Sequence, residues 1–156
     1  MNIRFATEKD IPQMMDLLHQ VELVHHNARP DLFRNGGEKY NASVLKTLLR
    51  DPSRPILAAA EEDDRMIGYA FCILQEIKND PVLLDRKELY IDDLCVDAAV
   101  RGKGVAKFLW EKTVAYAKDL GCDAVTLNVW EGNDRARHFY DNCGLKPRKT
   151  YLEYPL

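Results

Sequence analysis

The chain has 156 residues, 46% hydrophobic and 30% charged, which suits one folded domain with a real core. Its formal net charge of −3 argues against nucleic acid as an obligatory partner, because phosphate recognition wants a basic face. No apolar core follows Met1-Asn2-Ile3-Arg4, and the longest apolar stretch, Ile67 to Leu74, is far too short to cross a bilayer, so neither a secretory signal nor a membrane partner is expected and the default location is cytoplasmic.

In chain order, Asn2 to Ala6 reads as a short strand, and Thr7-Glu8-Lys9-Asp10 as a helix start close to a capping box, with Pro12 tolerated in the first turn. Ile11, Met14, Met15, Leu18 and Val21 form one helical stripe. From His25 to Gly37 the pattern breaks on Pro and Gly, which predicts a loop that either lines an acceptor pocket or merely connects. Adjacent histidines followed by Asp31 raise the question of a metal. Neighbours on an extended chain point apart and no second ligand cluster appears, so none is expected. A second helix is predicted over Glu38 to Arg50, with Val44, Leu45, Leu48 and Leu49 inward. Ile56 to Glu61 and Met66 to Ile77 read as a hairpin around Glu62-Asp63-Asp64-Arg65.

A strand over Leu89 to Val96 leads through a turn into Arg101-Gly102-Lys103-Gly104-Val105-Ala106 and an amphipathic helix, with Ala106, Leu109, Trp110, Thr113, Ala117 and Leu120 on one face. Glycines at a strand-to-helix junction let a ligand approach the main chain. Free N–H groups and the helix dipole favour an anion there, and Arg101 and Lys103 add full charge. The spacing is neither a Walker A loop nor a dinucleotide fingerprint, whose third glycine position is here Lys107. A diphosphate socket and a basic, glycine-containing helix start without a ligand both fit these residues. Asp123 to Trp130 reads as a further strand. Asn133 opens a last helix whose inner face carries Ala136, Phe139, Tyr140 and Cys143, and Gly144 ends it. Leu145 to Tyr154 is expected to add one or two closing strands. The order β-α-α-β-β-β-α-β-α-β predicts one mixed α/β domain over residues 1–156. Cys72, Cys95, Cys122 and Cys143 contain no Cys-x-x-Cys pair and read as reduced thiols in apolar patterns.

Arg101-Gly102-Lys103-Gly104-Val105-Ala106 resembles the Gln/Arg-x-x-Gly-x-Gly/Ala acyl-CoA motif of the GNAT superfamily of N-acyltransferases. Asn133-Asp134-Arg135-Ala136-Arg137-His138-Phe139-Tyr140 with Gly144-Leu145 resembles that superfamily's second motif, Leu145 standing where Phe is usual. The resemblance spans essentially the whole chain. It implies a mostly antiparallel central sheet splayed in the middle and flanked by helices. It also implies acetyl-CoA as cosubstrate, with no metal called for by the residues, and makes a homodimer a family-level expectation. Main-chain groups of Leu94, Cys95 and Val96 would then meet the pantetheine arm, Arg101 to Ala106 the diphosphate, and Asn133 and Tyr140 the cofactor from the last helix. Lys107, Arg135 and Arg137 are cations available for a 3′-phosphate or for solvent alone.

The resemblance makes Tyr140 the general acid towards the CoA sulfur. A phenol near pKa ~10 giving its proton to a thiolate near ~8.5 is uphill by roughly 2 kcal/mol, so hydrogen bonding to the thiolate is as much its task. The acceptor ammonium is neutral only about once in two or three thousand molecules at pH 7, so a carboxylate is wanted to take its proton. Tyr90-Ile91-Asp92-Asp93-Leu94 is similar to the Tyr-Leu-Glu-Asp-Phe stretch of spermidine/spermine acetyltransferases, which makes Asp92 the candidate base. Strand alternation would turn Asp92 and Asp93 to opposite faces, admitting only one to the site. Glu22, Glu76 and Glu88 are weaker candidates. The acidity favours a polyamine-like or other small-molecule amine, whereas Arg29 and Arg34 favour an acceptor with a carboxylate. A protein N-terminus or lysine is the alternative acceptor, and a non-catalytic acyl-CoA sensor or assembly module is the alternative function.

Overall fold

Strand polarity and helix stripes combine into one five-stranded sheet with helices on both faces, in a computed structural model that describes residues 1–156. The strands are β1 (Asn2–Phe5), β2 (Ile56–Ala60), β3 (Met66–Ile77), β4 (Arg86–Val96) and β5 (Ala124–Leu127), in spatial order β1-β2-β3-β4-β5. Every neighbouring pair is antiparallel except β4 and β5. The helices are α1 (Ile11–Ala28), α2 (Ala42–Leu48), α3 (Val105–Asp119) and α4 (Asp134–Asn142).

The sheet separates two apolar layers. Ile56 and Ala58 of β2 pack with Met14, Leu17, Leu18 and Val21 of α1 and Leu45 of α2, while Leu57 and Ala59 pack with Val105, Leu109 and Ala117 of α3. This is strand alternation meeting two helical stripes. Thr113, buried within the α3 stripe, gives its hydroxyl to Leu109 O at 2.8 Å, so its burial leaves no orphan polar group.

Several boundaries differ from the sequence reading. The first helix runs through His25 and His26 to Ala28 rather than yielding to a loop at His25. Both rings pack on the segment that follows: His25 lies 5.0 Å from the Phe33 ring, and His26 Nδ1 lies 2.8 Å from Phe33 O. The helix ends where Pro30 restricts Arg29. The second helix starts only at Ala42, because Asn41 Oδ1 accepts the Val44 N–H at 2.9 Å and caps it there. Glu38, Lys39 and Tyr40 therefore stay outside the helix, and Val44, expected inward, is exposed. The fifth strand is shorter than Asp123 to Trp130.

The expected closing strands are absent: Leu145 to Leu156 forms no strand and β5 is the last strand of the sheet. Side-chain contacts tie this segment down instead. Arg148 Nη1 donates to both carboxylate oxygens of Glu88 at 2.7 and 2.8 Å, and Glu153 accepts from Arg29 at 2.6 Å.

Candidate active site

Parallel pairing between β4 and β5 covers only Glu88–Ile91 against Ala124–Leu127. Beyond Ile91 the two strands part, and β4 continues alone on that side through Val96. This is the splay that the resemblance implied. The Asp97 N–H donates to Ile67 O on the β3 side. Because the hydrogen-bonding edges of a strand alternate, the main-chain groups of Leu94 and Val96 face the gap instead. Cys95, expected among the cofactor contacts, turns its main chain to β3 and its thiol inward to Leu17 O at 3.4 Å. It is a core residue.

The gap leads to the glycine socket. Phe108 N–H to Gly104 O is the first main-chain bond closing α3, so the N–H groups from Gly102 to Lys107 have no carbonyl partner. Gly102 and Gly104 both sit at φ +81°, a backbone that L side chains rarely adopt, and a Cβ on either would meet no protein atom within 4 Å. The socket is thus shaped and empty of side chains on the face where an anion would rest. Arg101 donates Nε to Val96 O at 3.0 Å, which fixes its guanidinium beside the end of β4. A surface hollow of about 540 Å³ is lined by Lys103 and Val105 of this loop, but Glu61, Glu62 and Asp63 line it too and oppose a phosphate there. Gly104→Ala adds about 1 kcal/mol of left-handed strain at the helix start. It also sets a methyl group over the anion seat, so calorimetry should record CoA affinity falling at least about tenfold.

At the apex of the gap the sheet carries a bulge. Phe71 pairs with Asp93 and the next residue, Cys72, pairs with Ile91, so Asp92 is the extra residue. The bulge reverses the expected alternation. Ile91 belongs to the α3 layer, while Asp93 meets Tyr69 and Asp92 meets Tyr40, both aromatics of the α1 layer. The two aspartates therefore share a face, contrary to the expectation that only one could enter the site. Asp92 Oδ2 accepts from the Tyr40 hydroxyl at 2.8 Å and lies 3.1 Å from Lys39 Nζ. Asp93 is buried, and Tyr69 donates to its Oδ2 at 3.0 Å. Burial pushes the Asp93 carboxyl up to about 6; the Lys39 charge and the Tyr69 bond oppose that, while the charges of Asp92 and Glu22 add to it.

The weaker carboxylate candidates separate clearly. Glu22 on α1 reaches this acidic cluster, and its charge acts on Asp93, Tyr69 and His25. Glu88 is buried and held by Arg86 and Arg148 on the stretch of β4 still paired to β5, short of the gap, and Glu76 pairs with Lys78 and Lys87. Arg29 is paired with Asp31 and Glu153 at the surface. No group of three or more His, Cys, Asp or Glu is placed to hold a metal.

On α4, Asn133 is the N-cap, its Oδ1 accepting the Ala136 N–H at 3.2 Å. Arg137 pairs with Asp141 on the outer face of the helix, as a solvated helix surface would. Tyr140 packs 6.1 Å from the Trp110 ring and 5.1 Å from Phe139. Its hydroxyl has no partner within the protein and is not sealed from solvent. Burial first, and then the Asp93 charge, raises its pKa well above that of a free phenol. The Asp93 charge thus acts on the Tyr140 phenol.

A splayed mixed sheet, a glycine socket opening the helix after the central strand, and a tyrosine on the last helix define an acyltransferase-type fold. The family model of the acetyltransferase (GNAT) family matches residues 21–145, and the chain belongs to that family. An uncharacterized N-acetyltransferase of Mycobacterium bovis is 35% identical over 102 residues, which is 65% of this chain and 59% of the relative. A peptidyl-lysine N-acetyltransferase of Escherichia coli is 32% identical over 104 residues, 65% of this chain and 58% of that protein. The chain thus spans about three fifths of the length of these two relatives. The crystal structure of a mutant Bacillus halodurans protein superposes with a TM-score of 0.95 at 33% identity, covering 100% of this chain and 99% of the other.

Proposed function

We propose that the chain is an acetyl-CoA-dependent N-acetyltransferase that acylates a cationic primary amine by direct attack within a ternary complex. One observation carries this reading: the unpaired edge of β4 runs from the Asp92–Asp93 pair at its bulge to the Gly102–Ala106 socket at its end. An extended thioester laid along that edge would meet both.

In this reading the acetyl-CoA thioester supplies the activated acyl group, and the chain supplies position, charge and proton transfer. The N–H groups of Gly102 to Ala106 hold the diphosphate. The main chain of Leu94 and Val96 pairs with the pantetheine amides, and an N–H of the same edge receives the oxyanion. The Asp92–Asp93 pair, with Asp92 nearer the solvent, draws the ammonium in and takes its proton. The phenol of Tyr140 faces the departing sulfur. A covalent acyl-cysteine is disfavoured because burial pushes the Cys72 and Cys95 thiols up to about 12, far from the thiolate range.

The acceptor reading rests on charge. Glu22, Asp92 and Asp93 gather around a single cation, Lys39, and outnumber it, which favours a polyamine-like or other small cationic amine. Arg29 is paired with Asp31 and Glu153, whereas Arg34 forms no ion pair and is the residue on which a carboxylate-bearing acceptor would rest. A protein lysine or N-terminus is the second reading, supported by the relative that acts on peptidyl-lysine. Four unpaired cysteines suit a reducing compartment such as the cytoplasm. Val82, Leu83, Leu84, Tyr151, Leu152 and Tyr154 are exposed apolar side chains, of the kind the homodimer expected from the family would cover. A screen of amines that follows free CoA release tests the function. Acetylation of a di- or polyamine at the fastest rate supports it. Tight CoA binding with no amine consumed would instead mark a sensor.

A further inference from the structure

Lys39 already rests on Asp92, where the proposed function seats the acceptor ammonium. It lies in the segment between α1 and α2, outside either helix, and its side chain is about 29% exposed. Its Nζ lies 3.1 Å from Asp92 Oδ2 and donates to Asp92 O at 3.3 Å. Asp92 is the bulged residue at which β4 leaves β5, so the ammonium rests at the apex of the gap. Tyr40, the next residue, donates to the same carboxylate oxygen at 2.8 Å and anchors the segment there. A primary alkylammonium is thus held on the carboxylate that would deprotonate a substrate.

We propose that Lys39 is an acceptor in its own right and that the protein acetylates it in cis from bound acetyl-CoA, an inference that rests on the acyl-transfer reading above. The Asp92–Asp93 pair takes one proton from the ammonium. The freed Nζ lone pair attacks the thioester carbonyl, a C–N bond forms and the C–S bond breaks. Of the two protons lost by nitrogen, one ends on the CoA sulfur and the other leaves to solvent. The products are Nε-acetyl-Lys39 and CoA. The amide carries no charge and cannot pair with Asp92, so the modification releases the carboxylate and converts the mouth of the acceptor site from a closed ion pair to an open anion.

The specificity of the labelling is diagnostic. Burial disfavours the charged Lys39, but the charges of Asp93 and Asp92 outweigh it and raise its pKa. Uncatalysed acetylation needs neutral amine, so it should pass over Lys39 in favour of other lysines. Proximity to a bound thioester reverses that order.

The test is peptide-resolved mass spectrometry of the purified protein at successive times after mixing with acetyl-CoA, with no amine added. Lys39 should gain one acetyl group per chain, at least about tenfold faster than any other lysine, as an intramolecular reaction allows. The rate should be independent of protein concentration. Lys39→Arg, which keeps the charge and the ion pair, should remove this label while CoA binding by calorimetry stays intact. Tyr140→Phe should bind CoA and label Lys39 slowly. Lys39 labelled no faster than other lysines, with acetyl-CoA bound and an external amine turned over, overturns this proposal and leaves the enzyme reading standing. Absence of CoA binding overturns both.

Discussion

If Tyr140 serves the reaction as proposed, Tyr140→Phe should lower turnover by about a hundredfold and leave CoA affinity within about twofold, the pattern of a contact made in the transition state rather than in the ground state. The substitution keeps the ring that packs against Trp110 and Phe139, so α4 retains its seat and only the hydroxyl is lost. That hydroxyl makes no bond inside the protein, hence its removal breaks no structural contact. Its raised pKa makes full proton transfer to sulfur more uphill than the roughly 2 kcal/mol of the free groups. On the proposed mechanism the stabilisation would then come mainly from hydrogen bonding to the departing thiolate. Accordingly the pH–rate profile of the wild-type protein should show no phenol ionisation up to about pH 10. Stopped-flow detection of CoA release alongside calorimetry separates the two effects. Equal turnover in the variant would assign the acid role to another group or to solvent.

The sequence carried the socket and the tyrosine because both are local. A strand, a glycine pair at positive φ and a helix start are neighbours in the chain, and α4 presents Tyr140 by simple helical spacing. Helical spacing did not resolve the role of Asn133 in the same way, since capping needs only the N–H of Ala136. The acidic side of the site was less legible. Regular alternation would have separated Asp92 from Asp93, and nothing in Leu89 to Val96 marks the extra residue that unites them. The bulge is set by pairing with β3, a long-range fact. Lys39 and Tyr40 escaped notice for a related reason. Helical periodicity ran through them, and only the Asn41 cap stops the helix short and frees both to reach Asp92. The closing strands are another long-range matter: β5 ends the sheet with its outer edge unpaired, and Leu145 to Tyr154 is held by the Arg148–Glu88 and Arg29–Glu153 contacts rather than by a ladder.

Asp93→Asn should stabilise the protein at neutral pH while crippling it as a catalyst. Asp93 is held at about 6 in the folded chain against 3.8 for the free group. The folded state therefore binds the proton more tightly than the unfolded state. Between about pH 4 and pH 6 stability falls as pH rises, and the loss is complete above that range. By the linkage relation the neutral-pH penalty is on the order of 3 kcal/mol. Asparagine is nearly isosteric, stays uncharged and still offers the Tyr69 hydroxyl an oxygen to donate to, so the variant escapes the penalty with little new cost. Urea melts should place it about 1–3 kcal/mol above the parent at pH 7.5, with the advantage vanishing towards pH 4. In the proposed reaction the same substitution removes the group that would hold the amine proton. The parent should then show kcat/KM rising through pH 6, the variant should lack that rise, and its turnover at pH 7.5 should drop by about a hundredfold or more. Stability gained and activity lost together would identify Asp93 as a carboxylate kept at a cost to folding for its chemistry. A variant that loses stability at pH 7.5, or that keeps the ascending limb near pH 6, would return the proton to Asp92 alone.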